Sequence, residues 1–238
     1  MVKLFSVTTL LVTLALSVSK AQNTSLYDDA VQLAARLVVN EPSGNIPEHL
    51  IYSIEDALVA VAENHSVAAQ AVSQKYNIHT SPTTNTNNLR IIVGKEAKWL
   101  DNLAQSPIQT MLPGYTFDIH EIETTDAYTV LKLQSPTALN MKFIANELSI
   151  IDDIWMVELP SNAKDGNDIK LRKVEEGFII TYSYKTGNCE TGCEETHYWE
   201  FGVSPNGDVS FIGEHGSDLA SSTKDEEYFF TLLEELRP

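Results

Sequence analysis

The chain has 238 residues, 16 Lys and Arg against 33 Asp and Glu, and a net charge of −17. So acidic a chain lacks the basic patches that nucleic acid or an anionic membrane surface would need. It is long enough to bury one large core or two smaller ones.

Met1-Val2-Lys3, an apolar run from Leu4 to Val18, and Ser19-Lys20-Ala21 follow the charged, apolar and small-residue order of a secretory signal. Cleavage is expected after Ala21, and the run is too short and too interrupted by Ser and Thr for a membrane anchor. Loss of Lys3 and Lys20 leaves 14 basic residues against 33 acidic, a mature charge of −19. A secreted or periplasmic setting is expected, with no membrane span after cleavage.

Residues 22–80 are expected to form a helical region. Ser25 can cap a helix with Leu26, Ala30, Leu33, Ala34 and Leu37 at helical spacing, stopped by Pro42-Ser43-Gly44. Pro47 opens a second helix with Leu50, Ile51, Ile54, Leu58 and Val61 on one face, and a third starts at Ser66. Thr80 to Asn88 is polar and aperiodic, a loop or linker.

Residues 81–160 read as β-α-β-β-α-β, the ferredoxin-like plan. The elements are a strand from Leu89 to Val93, a helix from Lys95 to Ser106, strands Tyr115–Ile122 and Tyr128–Leu133, a helix opened by Ser135-Pro136, and a strand Ile154–Leu159. Such a sheet carries its helices on one face; the N-terminal helices are expected to cover the other.

Residues 161–238 read as an antiparallel β-meander: Ile169–Val174, Phe178–Tyr184, Thr196–Val203 and Val209–Gly213, with an Asn206-Gly207 hairpin and a terminal helix Lys224–Leu236. The fold class is therefore α+β.

Cys189 and Cys193 are expected to be bonded to each other in an exported chain, a short ring worth about 2 kcal/mol. With His197 they would start a zinc site only if the segment were helical, and the alternating strands beside Gly192 speak for a hairpin instead. Asp165, Asn167 and Asp168 lack the spacing of an EF-hand loop and read as a turn. No metal or cofactor is expected. The histidines are scattered, with neither His-Glu-x-x-His nor Gly-x-Ser-x-Gly, so an enzyme is not indicated, although a hydrolase assembled from distant residues stays open.

In the meander, period two places His197, Trp199, Phe201 and Val203 on one strand face and Tyr198 and Glu200 on the other. Tyr182, Tyr184, His197, Tyr198 and Trp199 form the candidate binding surface, with cross-strand packing as the simpler reading of the same aromatics.

Gly187-Asn188-Cys189-Glu190-Thr191-Gly192-Cys193 followed by His197-Tyr198-Trp199-Glu200-Phe201, with Gly166-Asn167-Asp168-Ile169 upstream, resembles a group of exported bacterial proteins without a known function. The similarity extends to Leu139-Asn140-Met141 and Tyr76-Asn77-Ile78-His79-Thr80 and implies no catalytic residues. A helix leading into Ile154-Trp155-Met156-Val157-Glu158 is similar to the close of subtilase propeptides and related inhibitors, which dock a ferredoxin-like sheet on a protease. The expected function is a non-catalytic binding or interaction protein of unknown ligand, with a protein among the candidate partners; the alternative is a protease-inhibitor or propeptide-like module.

Overall fold

In a computed structural model of the chain, the described residues are 26–103, 106–160, 166–187, 192–193 and 195–219. The signal segment, Ser25, the terminal helix expected at Lys224–Leu236, Asp165 and Cys189 lie outside them.

The helical region follows its apolar stripes. Residues 26–38 form α1, with Ala30, Leu33, Ala34 and Val38 buried. After the turn at Pro42-Ser43-Gly44 comes α2, Glu48–Glu63, where Pro47 stands as N-cap and Ile51, Ile54, Leu58 and Val61 are buried. The short α3, Val67–Gln70, is capped by the Ser66 hydroxyl, which accepts from the Ala69 amide, and widens into a π-turn over Ala71–Lys75. Asn77 ends it in the left-handed region at φ 45°, a conformation Asn tolerates better than most residues.

Two antiparallel four-stranded sheets follow. The first contains β1 (Asn88–Gly94), β2 (Asp118–Thr124), β3 (Tyr128–Gln134) and β4 (Ile154–Glu158), in the order β2-β3-β1-β4. The second contains β5 (Asp168–Val174), β6 (Gly177–Thr186), β7 (Glu195–Val203) and β8 (Val209–Gly216) in sequence order, a meander.

Two helical expectations for the middle region are corrected. The stretch from Lys95 to Ser106 is not one helix: a 3₁₀ turn at Lys98–Asp101 is followed by a separate α4, Pro107–Met111. Proline has no N–H to continue a helix and biases the residue before it away from helical angles, so Ser106 is extended (ψ 150°) and Pro107 starts a new one. Likewise Ser135-Pro136 does not open a helix. That helix, α5, spans Met141–Leu148, and its cap is Asn140, whose side-chain oxygen accepts from the Phe143 amide. Tyr115 and Phe117, expected in a strand, precede β2 and pack against the core of the first sheet.

The described apolar residues divide into two cores. Leu89, Ile91 and Val93 of β1, with Leu131 and Leu133 of β3, pack under Met141, Ile144 and Leu148 of α5. In the other core α1, α2 and the Ala69–Val72 turn lie on Ile169, Ile180, Tyr182, Trp199, Phe201 and Val203 of the second sheet. The N-terminal helices thus cover the C-terminal sheet, not the open face of the first. The reason is apolar area: the inner face of β6 and β7 presents Trp199 and Phe201, both at most 1% exposed, whereas the open face of the first sheet carries Arg90, Lys132 and Glu158. Burying those charges under apolar helices would cost more than the covered area returns.

Asn140 joins the parts. Its side-chain amide, 3% exposed, donates to the carbonyls of Val38 (2.8 Å) and Ser43 (3.1 Å), and its backbone N–H donates to Gly44 O (2.8 Å). At the β5–β6 turn Gly177 has φ +122°, and a Cβ there would stand 2.0 Å from the Val203 carbonyl oxygen, so only glycine fits.

The expected Cys189–Cys193 bond reaches outside the described residues. Labelling of the denatured, unreduced protein is expected to find no free thiol, and two reactive thiols would refute the bond. Among the described residues no helix is long and apolar enough to cross a membrane.

Candidate functional site

The five aromatic and imidazole residues expected to form a binding surface do not share one. Tyr182 (4% exposed) and Trp199 (1%) are opposite each other in the β6–β7 ladder and buried beneath the helices. Tyr184 and His197 are paired on the same inner face, where Tyr76 from the π-turn lies 4.4 Å from the Tyr184 ring and 5.4 Å from Trp199. The His197 ring lies tilted against Trp199 at 4.4 Å, and its Nδ1 is 2.8 Å from the Ser217 carbonyl. Tyr198 faces the opposite side and stacks on His215 at 5.0 Å. The inner four act in packing; a ligand cannot reach Tyr182 or Trp199 without displacing the helices. Burial also raises the Tyr182 phenol well above its ordinary range, with the charge of Asp29 as a smaller cause.

Asn167 and Asp168 are used internally: Asn167 accepts from the Lys185 amide, and Asp168 takes the Arg36 guanidinium and the Ser81 amide.

A feature with room for a ligand lies elsewhere. A cleft of about 1000 Å³ opens where α1, the start of α2, the segment from His79 to Asn87 and the turn at Pro136–Leu139 meet. From Thr80 on it belongs to the expected linker, Thr80 to Asn88, and the segment has no helix or strand. It is nonetheless a fixed strap, because its polar groups are consumed one after another. Thr80 donates its N–H and its hydroxyl to one Asp29 oxygen, both at 2.7 Å. Ser81 N–H donates to Asp168 (2.8 Å), and Ser81 O accepts from Arg36 (2.6 Å). Further along, Thr86 O accepts from Leu139 N–H (2.6 Å) and Asn87 O from Ser135 N–H (2.7 Å).

Asp29 is the centre of this wall. It is 3% exposed on the buried side of α1, and its second oxygen is 2.7 Å from His79 Nδ1. A buried carboxylate with three hydrogen bonds is compensated for its lost hydration. The hydrogen bond to Asp29 is the main reason that the His79 imidazole holds its proton to higher pH than usual, against a smaller opposing effect of burial. Chemically such a pair can orient an imidazole or clamp two segments; here it ties the strap to α1.

A raised folded-state value means that stability from the pair is fully present below the unfolded imidazole value, near 6.5, and lost as pH rises through the folded value. The melting-temperature gap between the natural chain and His79→Gln is therefore expected to be larger at pH 5.5 than at pH 9; an equal gap at both would show that the imidazole charge contributes nothing.

Asp29 was within reach of sequence reasoning. It falls three residues after Leu26 and four before Leu33, inside the apolar stripe of α1, and a carboxylate on a buried face must find partners. That the partners are His79 and Thr80, 50 residues on, no local pattern indicates.

Comparisons with family models, with curated proteins and with solved structures each found no match to this chain.

Proposed function

We propose that this chain is an exported, non-catalytic binding protein whose ligand enters the cleft beside the Asp29–His79 pair. The observation that carries the reading is the cleft itself. Its size suits a small ligand, and its walls set apolar side chains such as Val31, Ile46, Ile51 and Leu139 beside a larger number of polar ones, so that a surface for packing and groups for orientation converge. Binding from such a site needs no moving part, since α1 and the strap are already locked together.

A screen of neutral, cationic and anionic small molecules against the mature chain, read by amide chemical shifts, tests it. Shifts clustered at residues 27–32, 45–51 and 79–87 are expected. No shifts there with any class would overturn the reading. Turnover of an ester, glycoside or peptide that disappears in His79→Gln would replace it with hydrolysis.

A second reading, a protease-inhibitor or propeptide-like module, is favoured by the first sheet. The succession β1–turns–α4–β2–β3–α5–β4 and the order β2-β3-β1-β4 support the ferredoxin-like plan. On its open face Trp155 is 60% exposed and lies across Gly94, where a Cβ would come within 2.9 Å of the indole, and Met156 beside it is 51% exposed. Near-stoichiometric inhibition of a subtilisin-type protease, weakened in Trp155→Ala, is the expected result; no inhibition at high excess would sink it.

A further inference from the structure

The last described residues are fixed at one end of the second sheet. Ser217 N–H donates to Thr196 O (2.9 Å), the Ser217 carbonyl lies 2.8 Å from His197 Nδ1, and Leu219 packs against the core of that sheet and its helices. Residues 220–238 continue from there. Their sequence has Thr223 with Glu226 three positions on, the pattern of a capping box, and then Phe229, Leu232, Leu233 and Leu236 at the spacing of one helical face. Asp225, Glu226, Glu227, Glu234 and Glu235 make the same stretch strongly acidic. A helix of this length is marginal alone in water, so its apolar stripe calls for a surface on which to lie.

The outer face of the second sheet, away from α1 and α2, is such a surface. The ladder places Ile179, Gly202 and Ser210 in one cross-strand row of this face and Ser183, Tyr198 and His215 in another. Ile212 stands on the same side, since a Cβ on Gly202 would come 3.7 Å from its Cδ1, and it is 52% exposed. Gly202 has no side chain, so the face is low between Ile179 and Ile212. Along the β5 border stand Lys170, opposite Thr181, and Arg172, opposite Ile179; both are exposed, and neither forms an ion pair among the described residues. Basic residues beside an apolar row complement an acidic amphipathic segment.

The connection is long enough. Five residues from Leu219 to Lys224 reach at most about 17 Å, enough to round a sheet layer about 10 Å thick. A helix over 224–236 is about 20 Å long and fits along β7, whose 9 residues extend about 30 Å. Other seats suit it less. The inner face is taken by α1 and α2, and the open face of the first sheet carries Glu121, Glu123 and Glu158, with Arg90 and Lys132 already engaged by them.

We propose that residues 224–236 form a helix docked on the outer face of the second sheet. Phe229, Leu232 and Leu233 lie on Ile179, Tyr198 and Ile212, and the acidic residues turn toward Lys170 and Arg172. The second sheet is then covered on both sides by its own chain. The cleft stays open, because Asp28, Asp29 and Glu48 repel the segment.

Amide hydrogen exchange of the full mature chain, beside the free peptide 222–238, tests this. Exchange over residues 228–236 is expected to be at least about tenfold slower in the chain than in the peptide. Ile212→Ser with Lys170→Glu and Arg172→Glu, all at exposed positions, should remove that protection and leave β1 and β3 unchanged. Leu232→Ser with Leu233→Ser, which leaves the sheet itself intact, should shift the amides of Ile179, Tyr198 and Ile212 and none in the first sheet. Exchange at the rate of the free peptide overturns the proposal, as does the absence of those shifts. Protection that survives the triple variant places the segment elsewhere, and protection that grows with protein concentration means that a second copy supplies it; either result also overturns it.

Discussion

Trp199→Ala is expected to lower the stability of the chain by about 3–5 kcal/mol, the range for removing a large aromatic side chain from a packed core. Trp199 is 1% exposed at the middle of β7, opposite Tyr182 on β6, with His197 on one side and Tyr76 from the π-turn against it. Its loss removes the contact on which the end of the helical region rests and leaves Tyr76 and Tyr184 beside a void. Against a total of about 5–15 kcal/mol for a typical domain, that is a large fraction. The matched control is Trp155→Ala, at an indole 60% exposed on the other sheet, where a change within about 0.5 kcal/mol is expected. Denaturant midpoints for the two variants measure the difference. Comparable losses at both positions would mean that the open face of the first sheet is covered in solution.

The contrast between these tryptophans marks how far the sequence could be read. Alternation in His197-Tyr198-Trp199-Glu200-Phe201 correctly separates the two faces of β7, because a strand's period is fixed by backbone geometry. It does not say what lies on either face. Helical stripes in 26–38 and 48–63 were equally legible, as were the strands of both sheets, yet the docking of those helices on the second sheet depends on which of two sheet faces offers apolar area without charge. That comparison involves residues more than 100 positions apart. The helix start is displaced where two capping signals compete: Ser135-Pro136 has the form of a helix start, but Asn140 satisfies backbone groups of Val38, Ser43, Gly44 and Phe143 together and moves the start to Met141. The cleft escaped for the same reason as the packing. Asp29 and Gln32 are neighbours in sequence, but His79, Thr86 and Leu139 reach them only through the strap.

Arg36→Met is the second substitution with a large expected effect, and it tests that strap. The Arg36 guanidinium ties α1 to two segments, β5 and the strap: Nη1 donates to the Ile169 carbonyl (2.7 Å), and Nη2 donates to Ser81 O (2.6 Å), to the Thr83 hydroxyl (3.1 Å) and to Asp168 Oδ1 (3.0 Å). Methionine keeps most of the apolar stem but leaves the Asp168 carboxylate with the Ser81 amide and takes one donor each from the Ile169 and Ser81 carbonyls. Removing one partner of a fully buried pair costs about 3–5 kcal/mol and an exposed pair less than about 1. The side chains here are 21% and 16% exposed, so the expected loss is about 2–4 kcal/mol. Arg36→Lys should recover less than half of it, since a point charge cannot serve acceptors on both segments as a planar fork does. Arg36→Met with Asp168→Leu should cost less than the sum of the single changes, the sign of direct coupling. Because Thr80, Pro82, Thr86 and Asn87 of the same strap line the cleft, loosening it at Ser81 and Thr83 should also weaken any ligand bound there. Faster hydrogen exchange at the amides of residues 80–87 in Arg36→Met, without equal loss of protection in β1 and β3, would show the strap opening by itself. Uniform loss across both sheets would instead make Arg36 a support of the whole fold, and the cleft walls would then owe their rigidity to Asp29 and Asn140 alone.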